Sequence, residues 1–331
     1  MKERGLVTWG PWAVASGALV AALLVALAVG AVPLDAGQLV DALRGVGDPT
    51  AVAVVRDLRA PRALLAALVG AALGMGGGAL QGTLRNPLAE PYLLGVSGGA
   101  AVGAVAAMAL GAQHPGTITM AAFAGAAVAT LLVTLLARVA GQRTDTRLLV
   151  MAGVVVGAFA NAVIMVALAD APPDRLRGAL WWMMGSVADS TWGGVARMAV
   201  ALGLLGGVLV WWARDLDVLA LGEEPAAALG VDVDRSARRL FLTASWLAAA
   251  TVAAAGLVGF VGLVVPAIAR VAGARTHRRL LVLSALMGGA LLVWADLVAR
   301  TVRAPAELPL GAVTALVGVP FFLHRLRRVA G

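Results

Sequence analysis

The chain has 331 residues, of which 61% are hydrophobic and 13% charged, with a net charge of +8 and no cysteine. Its mean hydropathy of +0.91 leaves too little polar surface to clothe a water-soluble domain. The missing cysteines exclude a disulfide framework and thiolate chemistry. In a membrane protein the excess of positive charge reads as cytoplasmic arginines rather than a nucleic-acid surface.

Apolar runs of about 20 residues recur along the chain, the mark of a polytopic helical membrane protein. In chain order, spans are expected near 12–32, 63–82, 93–110, 117–137, 148–169, 195–212, 240–257, 260–272, 280–298 and 310–323, about ten in all. Lys2 and Arg4 precede the first run, as in a signal peptide. That run is longer than a usual signal core, so an uncleaved helix is expected. Gly70, Gly74, Gly78 and Gly82 in the second span lie four apart, on one helix face, and prepare it for close packing. Gly95, Gly98 and Gly99, with Ser97, would serve close packing or make room for a bulky substrate. Trp181, Trp182 and Trp192 bracket a short helix expected over 180–187, with its rings at headgroup depth. Gly256, Gly259, Gly262 and Pro266 break the long run after Leu240 into a full span and a short one.

Arginines divide roughly two to one between alternate loops, which places both termini in the cytoplasm. The same side holds LGEEPAAALG, residues 221–230. Glu223 and Glu224 suit a first helical turn, and Pro225 has the φ for it. The alanines favour helix, and Gly230 ends it. Such a helix is either an ordinary capped loop or a docking knob for a soluble partner. The sequence shows no ionisable group near mid-membrane, which argues against an ion-coupled transporter. His114, His277 and His324 lie at span ends without metal-ligand spacing or a nucleophile motif, so neither a metal site nor a catalytic residue is expected. Lys2 is the single lysine, so no phosphate-binding Walker loop exists in this chain.

The segments RAPRALLAALVG from Arg59, RNPLAEPYLLGVSGGA from Arg85, GFVGLVVPAIAR from Gly259 and ADLVAR with AELPLG near the end resemble the FecCD-type permeases. These are membrane subunits of ATP-binding-cassette importers for iron–siderophores, haem and cobalamin. The resemblance implies an all-α, type II ABC importer permease of about ten transmembrane helices, with residues 1–331 as one transmembrane domain. It also implies a multi-pass protein of the bacterial cytoplasmic (inner) membrane, a homodimer, two ATPase subunits that hold ATP and Mg, and an extracytoplasmic substrate-binding protein. No cofactor on this chain and no nucleic-acid partner are implied. Glu223, Glu224, Pro225 and Gly230 would shape the ATPase-coupling helix. Asn86, Leu88, Asp145 and Thr146 match the cytoplasmic gate; the plain alternative is a turn and a helix capped by Thr144 or Asp145. Arg59, Arg62 and Arg300 match positions that meet acidic residues of the binding protein; the plain alternative is local pairing with Asp57 and Asp296. Asp296 with Arg300 has i,i+4 spacing. The family often has histidine where this chain has Ala267, which weakens any metal-complex role for that segment. Among substrates the resemblance ranks ferric siderophore first, haem second and cobalamin third.

Overall fold

A computed structural model describes residues 10–140 and 146–330. The described residues form helices joined by turns, with no strand among them. In chain order these are α1 (Gly10–Ala28), α2 (Ala36–Arg44), α3 (Pro49–Ala53), a π-helical turn (Val54–Arg59), α4 (Ala60–Thr83), a 3-10 turn (Pro91–Leu94) and α5 (Val96–Ala109). Next come α6 (Pro115–Ala140), α7 (Thr146–Ala169), α8 (Pro173–Met183), α9 (Trp192–Ala201), a second π-helical turn (Leu202–Gly206), α10 (Gly207–Trp211) and α11 (Ala213–Leu219). The last five are α12 (Glu223–Ala228), α13 (Val233–Ala255), α14 (Val261–Val271), α15 (His277–Thr301) and α16 (Leu310–Ala330).

Each expected span coincides with a helix: α1, α4, α5, α6, α7, the α9–α10 run, α13, α14, α15 and α16. Among the described residues six helical runs, those of α1, α3–α4, α6, α7, α9–α10 and α15, are long and apolar enough to cross a membrane. The α13 helix has the length but begins with Arg235, Arg238 and Arg239. The interfacial helix expected over 180–187 lies earlier, at α8. Pro173 supplies its first turn, and Gly185, at φ +75°, turns the chain after it.

Two of the short apolar helices, α5 and α14, begin inside the bundle. A methyl group placed on Gly95, just before α5, would lie 2.8 Å from the Gly153 carbonyl oxygen in mid-α7. Gly262, near the start of α14, would meet the Leu73 carbonyl of α4 at 3.1 Å. Broken helices of this kind put irregular backbone inside the protein rather than in lipid.

The glycine face of α4 lies on α15 in antiparallel register. A methyl group on Gly70 would come within 2.1 Å of the Gly288 carbonyl oxygen, one on Gly74 within 2.3 Å of that of Ser284, and one on Gly82 within 2.7 Å of the His277 ring. Gly77 faces the Gly262 carbonyl of α14 in the same way, at 2.0 Å. A second seam joins α5 to α6, where Gly99 and Gly125 face each other's carbonyls. Backbones meet here with no side chain between them, and dispersion contacts accumulate along the whole length.

Gly78 is the exception on the α4 face. Its added methyl would find Leu281 at 3.4 Å, an ordinary contact. Gly74→Ala should therefore lower thermal stability in detergent by about 1–3 kcal/mol through overpacking. Gly78→Ala should leave it unchanged or raise it by up to about 1 kcal/mol through helix propensity. Equal losses at both positions would show that the seam is not set by these backbone contacts.

Candidate functional site

Two polar ends and a cavity between them carry the chemistry of this bundle. At one end, α12 is a six-residue helix with Glu223 and Glu224 in its first turn and Pro225 after them. Gly222 precedes it at φ +111°, and Gly230 follows at φ +80°. The Gly230 N–H donates to Ala227 O at 3.0 Å and the Val231 N–H to Ala226 O at 3.1 Å, which closes the helix. Ala226 is buried, whereas Leu221, Glu224 and Leu229 point outward. The helix is held through α11. Asp215 pairs with Arg239 of α13, whose guanidinium also lies 4.6 Å from the Trp212 ring centre. Asp217 accepts the His277 backbone N–H at 2.8 Å and faces His277 Nδ1 at 2.8 Å. Arg85 reaches from the end of α4 to pair with Glu223.

The segment between α4 and α5 enters the bundle from this end. The Asn86 side chain accepts the Leu88 N–H at 2.9 Å, and the Asn86 carbonyl accepts the Ala89 N–H at 3.1 Å. Leu88 is exposed, and Glu90 is buried. Asn86, Leu88, Glu90 and Tyr92 border a partly open cavity of about 470 Å³ that Val150, Val154 and Asn161 of α7 also line. Asn86 and Leu88, two of the expected gate residues, therefore stand together on one cavity. Thr146 opens α7, and Asp145 lies outside the described residues. Glu90, which the sequence reading did not single out, is 5% exposed and faces the backbone N–H of Phe260. The sequence signal was faint, an acidic residue between Ala89 and Pro91. Burial pushes the Glu90 carboxyl up to about 7, against the opposing effect of the Phe260 N–H.

At the opposite end, five charged residues form one cluster. The Arg62 guanidinium holds Asp296 with Nη2–Oδ1 at 2.8 Å and Nε–Oδ2 at 3.0 Å, and Glu307 with Nη1–Oε1 at 2.7 Å and Nη2–Oε2 at 2.9 Å. Arg59 donates to the carbonyls of Leu27 and Ala28 at 2.8 and 2.9 Å and to that of Val32. Arg300 donates to Ala26 O and stands 3.7 Å from Asp296. Arg59 is only 4% exposed, and the Arg62 and Arg300 side chains 12% and 9%. So the three arginines expected to face a soluble partner turn inward. Arg62, rather than the i,i+4 neighbour Arg300, is the main partner of Asp296. Arg56 and Arg303 remain exposed at this end. Beside it, Met108, Arg175, Trp181, Trp182 and Asp189 line a larger cavity of about 700 Å³. Among the described residues no group of three or more His, Asp or Glu is placed to hold a metal ion.

The Arg62 hydrogen bonds hold the Glu307 carboxyl below its ordinary value of 4.5, against the opposing effect of burial. A depressed carboxylate contributes stability that is complete above the unfolded value and lost as pH falls through the folded one. Glu307→Gln should therefore lower the melting temperature at pH 7. That difference should shrink once pH falls below 4.5. A difference independent of pH would remove the ion pair as its cause.

Comparison with known proteins agrees with this architecture. Residues 18–328 match the FecCD transport family. The cobalamin import system permease protein BtuC of Halobacterium salinarum is 45% identical over 278 residues, covering 84% of this chain and 74% of that protein. The vitamin B12 import system permease protein BtuC of Salmonella arizonae is 40% identical over 281 residues, 83% of each chain. Among solved structures, an inward-facing metal-chelate type ABC transporter superposes with a TM-score of 0.86 at 28% identity, covering 95% of this chain and 97% of that one. The bundle of broken and full spans, the helix α12 at one end and the match over nearly the whole length lead to one assignment: the chain belongs to the FecCD transport family and is a multi-pass permease of the ABC-importer class.

Proposed function

We propose that this permease moves cobalamin, a cobalt chelate, across the cytoplasmic membrane by alternating access, driven by ATP hydrolysis on a separate subunit. The observation that carries the substrate is the pair of relatives at 45% and 40% identity, both named as cobalamin or vitamin B12 permeases. This reverses the ranking drawn from the sequence, which put ferric siderophore first and haem second. The metal-chelate title of the structural match at 28% identity fits a cobalt chelate as well as an iron one. A second copy of this chain completes the pathway. Two ATPase subunits sit below, and an extracytoplasmic binding protein delivers the substrate.

Each end of the bundle suits one of these partners. The α12 end faces the cytoplasm, as the arginine distribution favours. There Leu221 and Leu229 flank the acidic turn and offer apolar contact to a cleft in the ATPase. The lack of any lysine beyond Lys2 leaves ATP binding to that subunit. At the outer end the exposed Arg56 and Arg303 attract acidic groups of the binding protein. Arg59, Arg62 and Arg300 keep that surface in shape from within. Asn86 and Leu88, together with Asp145 and Thr146 as the family resemblance implies, form the gate that narrows the pathway on the cytoplasmic side.

Proteoliposomes containing the permease, its ATPase subunit and its binding protein should accumulate radiolabelled cyanocobalamin only when ATP is supplied to the ATPase side. A ferric siderophore given in parallel should not be taken up. Uptake of the siderophore in place of cobalamin would refute the substrate while leaving the importer intact. Leu88→Cys, in a chain with no native cysteine, should cross-link two copies in at least one nucleotide state. The absence of a cross-link in every state would remove Leu88 from the gate.

A further inference from the structure

Among the described residues five helices end in the same hydrogen-bonded motif, in which the N–H groups of two successive residues turn back to carbonyls of the last turn. After α2, α5, α12 and α14 the left-handed position of that motif is Gly45, Gly111, Gly230 and Gly273. After α4 it is Arg85, at φ +47°, with its N–H on Gly82 O at 3.4 Å and the Asn86 N–H on Gln81 O at 3.1 Å. A side chain in this conformation costs energy that glycine does not. What Arg85 has in exchange is its ion pair with Glu223 in the first turn of α12. Exposed pairs of that kind stabilise little, so stability alone does not account for the arginine.

Among the described residues one other non-glycine residue has positive φ, Phe260 at +67°. It stands at the break between α13 and α14, and its N–H faces the buried Glu90 side chain. The two unusual backbone positions thus sit at the two ends of one short segment, 85–90. That segment is stiff. Pro87 has a fixed φ, and the Asn86 side chain and carbonyl both bond forward, to the Leu88 and Ala89 N–H groups. Beyond it, a methyl on Gly262 would meet Pro91 at 3.0 Å, and one on Gly318 of α16 would meet Phe260 at 2.5 Å.

We infer that residues 85–90 form a strut that carries displacement of α12 to the cavity and to the α13–α14 break, with Arg85 and Glu90 as the positioning residues at its ends. This rests on the reading of α12 as the ATPase contact. Coupling through packed contacts requires that one end move when the other does, and the strut supplies a single stiff connection between them. Asn86 and Leu88 ride on it, so the cavity rim follows the helix.

The test uses the permease with a second copy and its ATPase subunit, carrying spin labels on one copy. One label is placed at Val46, exposed at the opposite end, and the other at either Ala228, exposed on α12, or Leu88 on the strut. Trapping the ATPase with ADP and vanadate should change both distances. Arg85→Gly relieves the left-handed backbone, so the variant folds, and the Ala228 change should persist while the Leu88 change is lost. The charge-exchanged pair Arg85→Glu with Glu223→Arg should restore the Leu88 change. Glu90→Gln, which keeps an acceptor for the Phe260 N–H, should retain it, and Glu90→Ala should lose it. A full Leu88 change in Arg85→Gly would overturn the strut while α12 keeps its role. No Ala228 change in the labelled protein that is otherwise unaltered would overturn the reading of α12 itself.

Discussion

Carbonyl oxygens of α15 occupy the space where side chains of α4 would otherwise stand, and the rest of the bundle is arranged around that contact. Gly70 and Gly74 bring the two backbones together, and Gly77 does the same for α14. Apolar burial gives no preference between lipid and protein inside a membrane, so close packing must supply it. With α4 held this way, its two ends are fixed in space. One end presents Arg59 and Arg62, and the other presents Arg85.

Each end then uses charge differently. At the outer cluster Arg62 is shared by Asp296 and Glu307, which come from α15 and from the connection to α16, so one guanidinium joins three segments. At the α12 end the pairs are separate: Asp215 with Arg239, Asp217 with His277, Glu223 with Arg85. A shared, buried guanidinium resists displacement, because parting it from either carboxylate leaves a desolvated charge. Separate, more exposed pairs can be exchanged one at a time. The outer end is built as a clamp, and the α12 end as a set of joints.

The spans were legible because apolar runs and their breakers are local. The glycine face of α4 was legible for the same reason, since spacing by four needs only the helix period. So were the caps of α12, where Pro225 and Gly230 have local backbone roles. The outer cluster was not. Arg62 meets Asp296 across 234 residues and Glu307 across 245, and no local pattern announces either contact. The i,i+4 spacing of Asp296 and Arg300 was correct as spacing, yet the fold brought a better-aligned donor to the carboxylate. Glu90 escaped for a similar reason: its burial depends on a break between α13 and α14 that lies far along the chain. The short helices α3 and α11, of five and seven residues, carry too few residues to show a period.

The capping of α1 bears on how the protein is made. Its last carbonyls, from Ala26 to Ala28, receive hydrogen bonds from Arg59 and from Arg300, the latter 274 residues downstream. During synthesis the first helix leaves the ribosome long before its second cap exists. Until α15 has entered the membrane, the carbonyl of Ala26 must be met by water or headgroups, which keeps that end of α1 at the interface. Helix α1 is therefore locked only once α15 is in place, and its end stays incomplete until Arg300 reaches the Ala26 carbonyl.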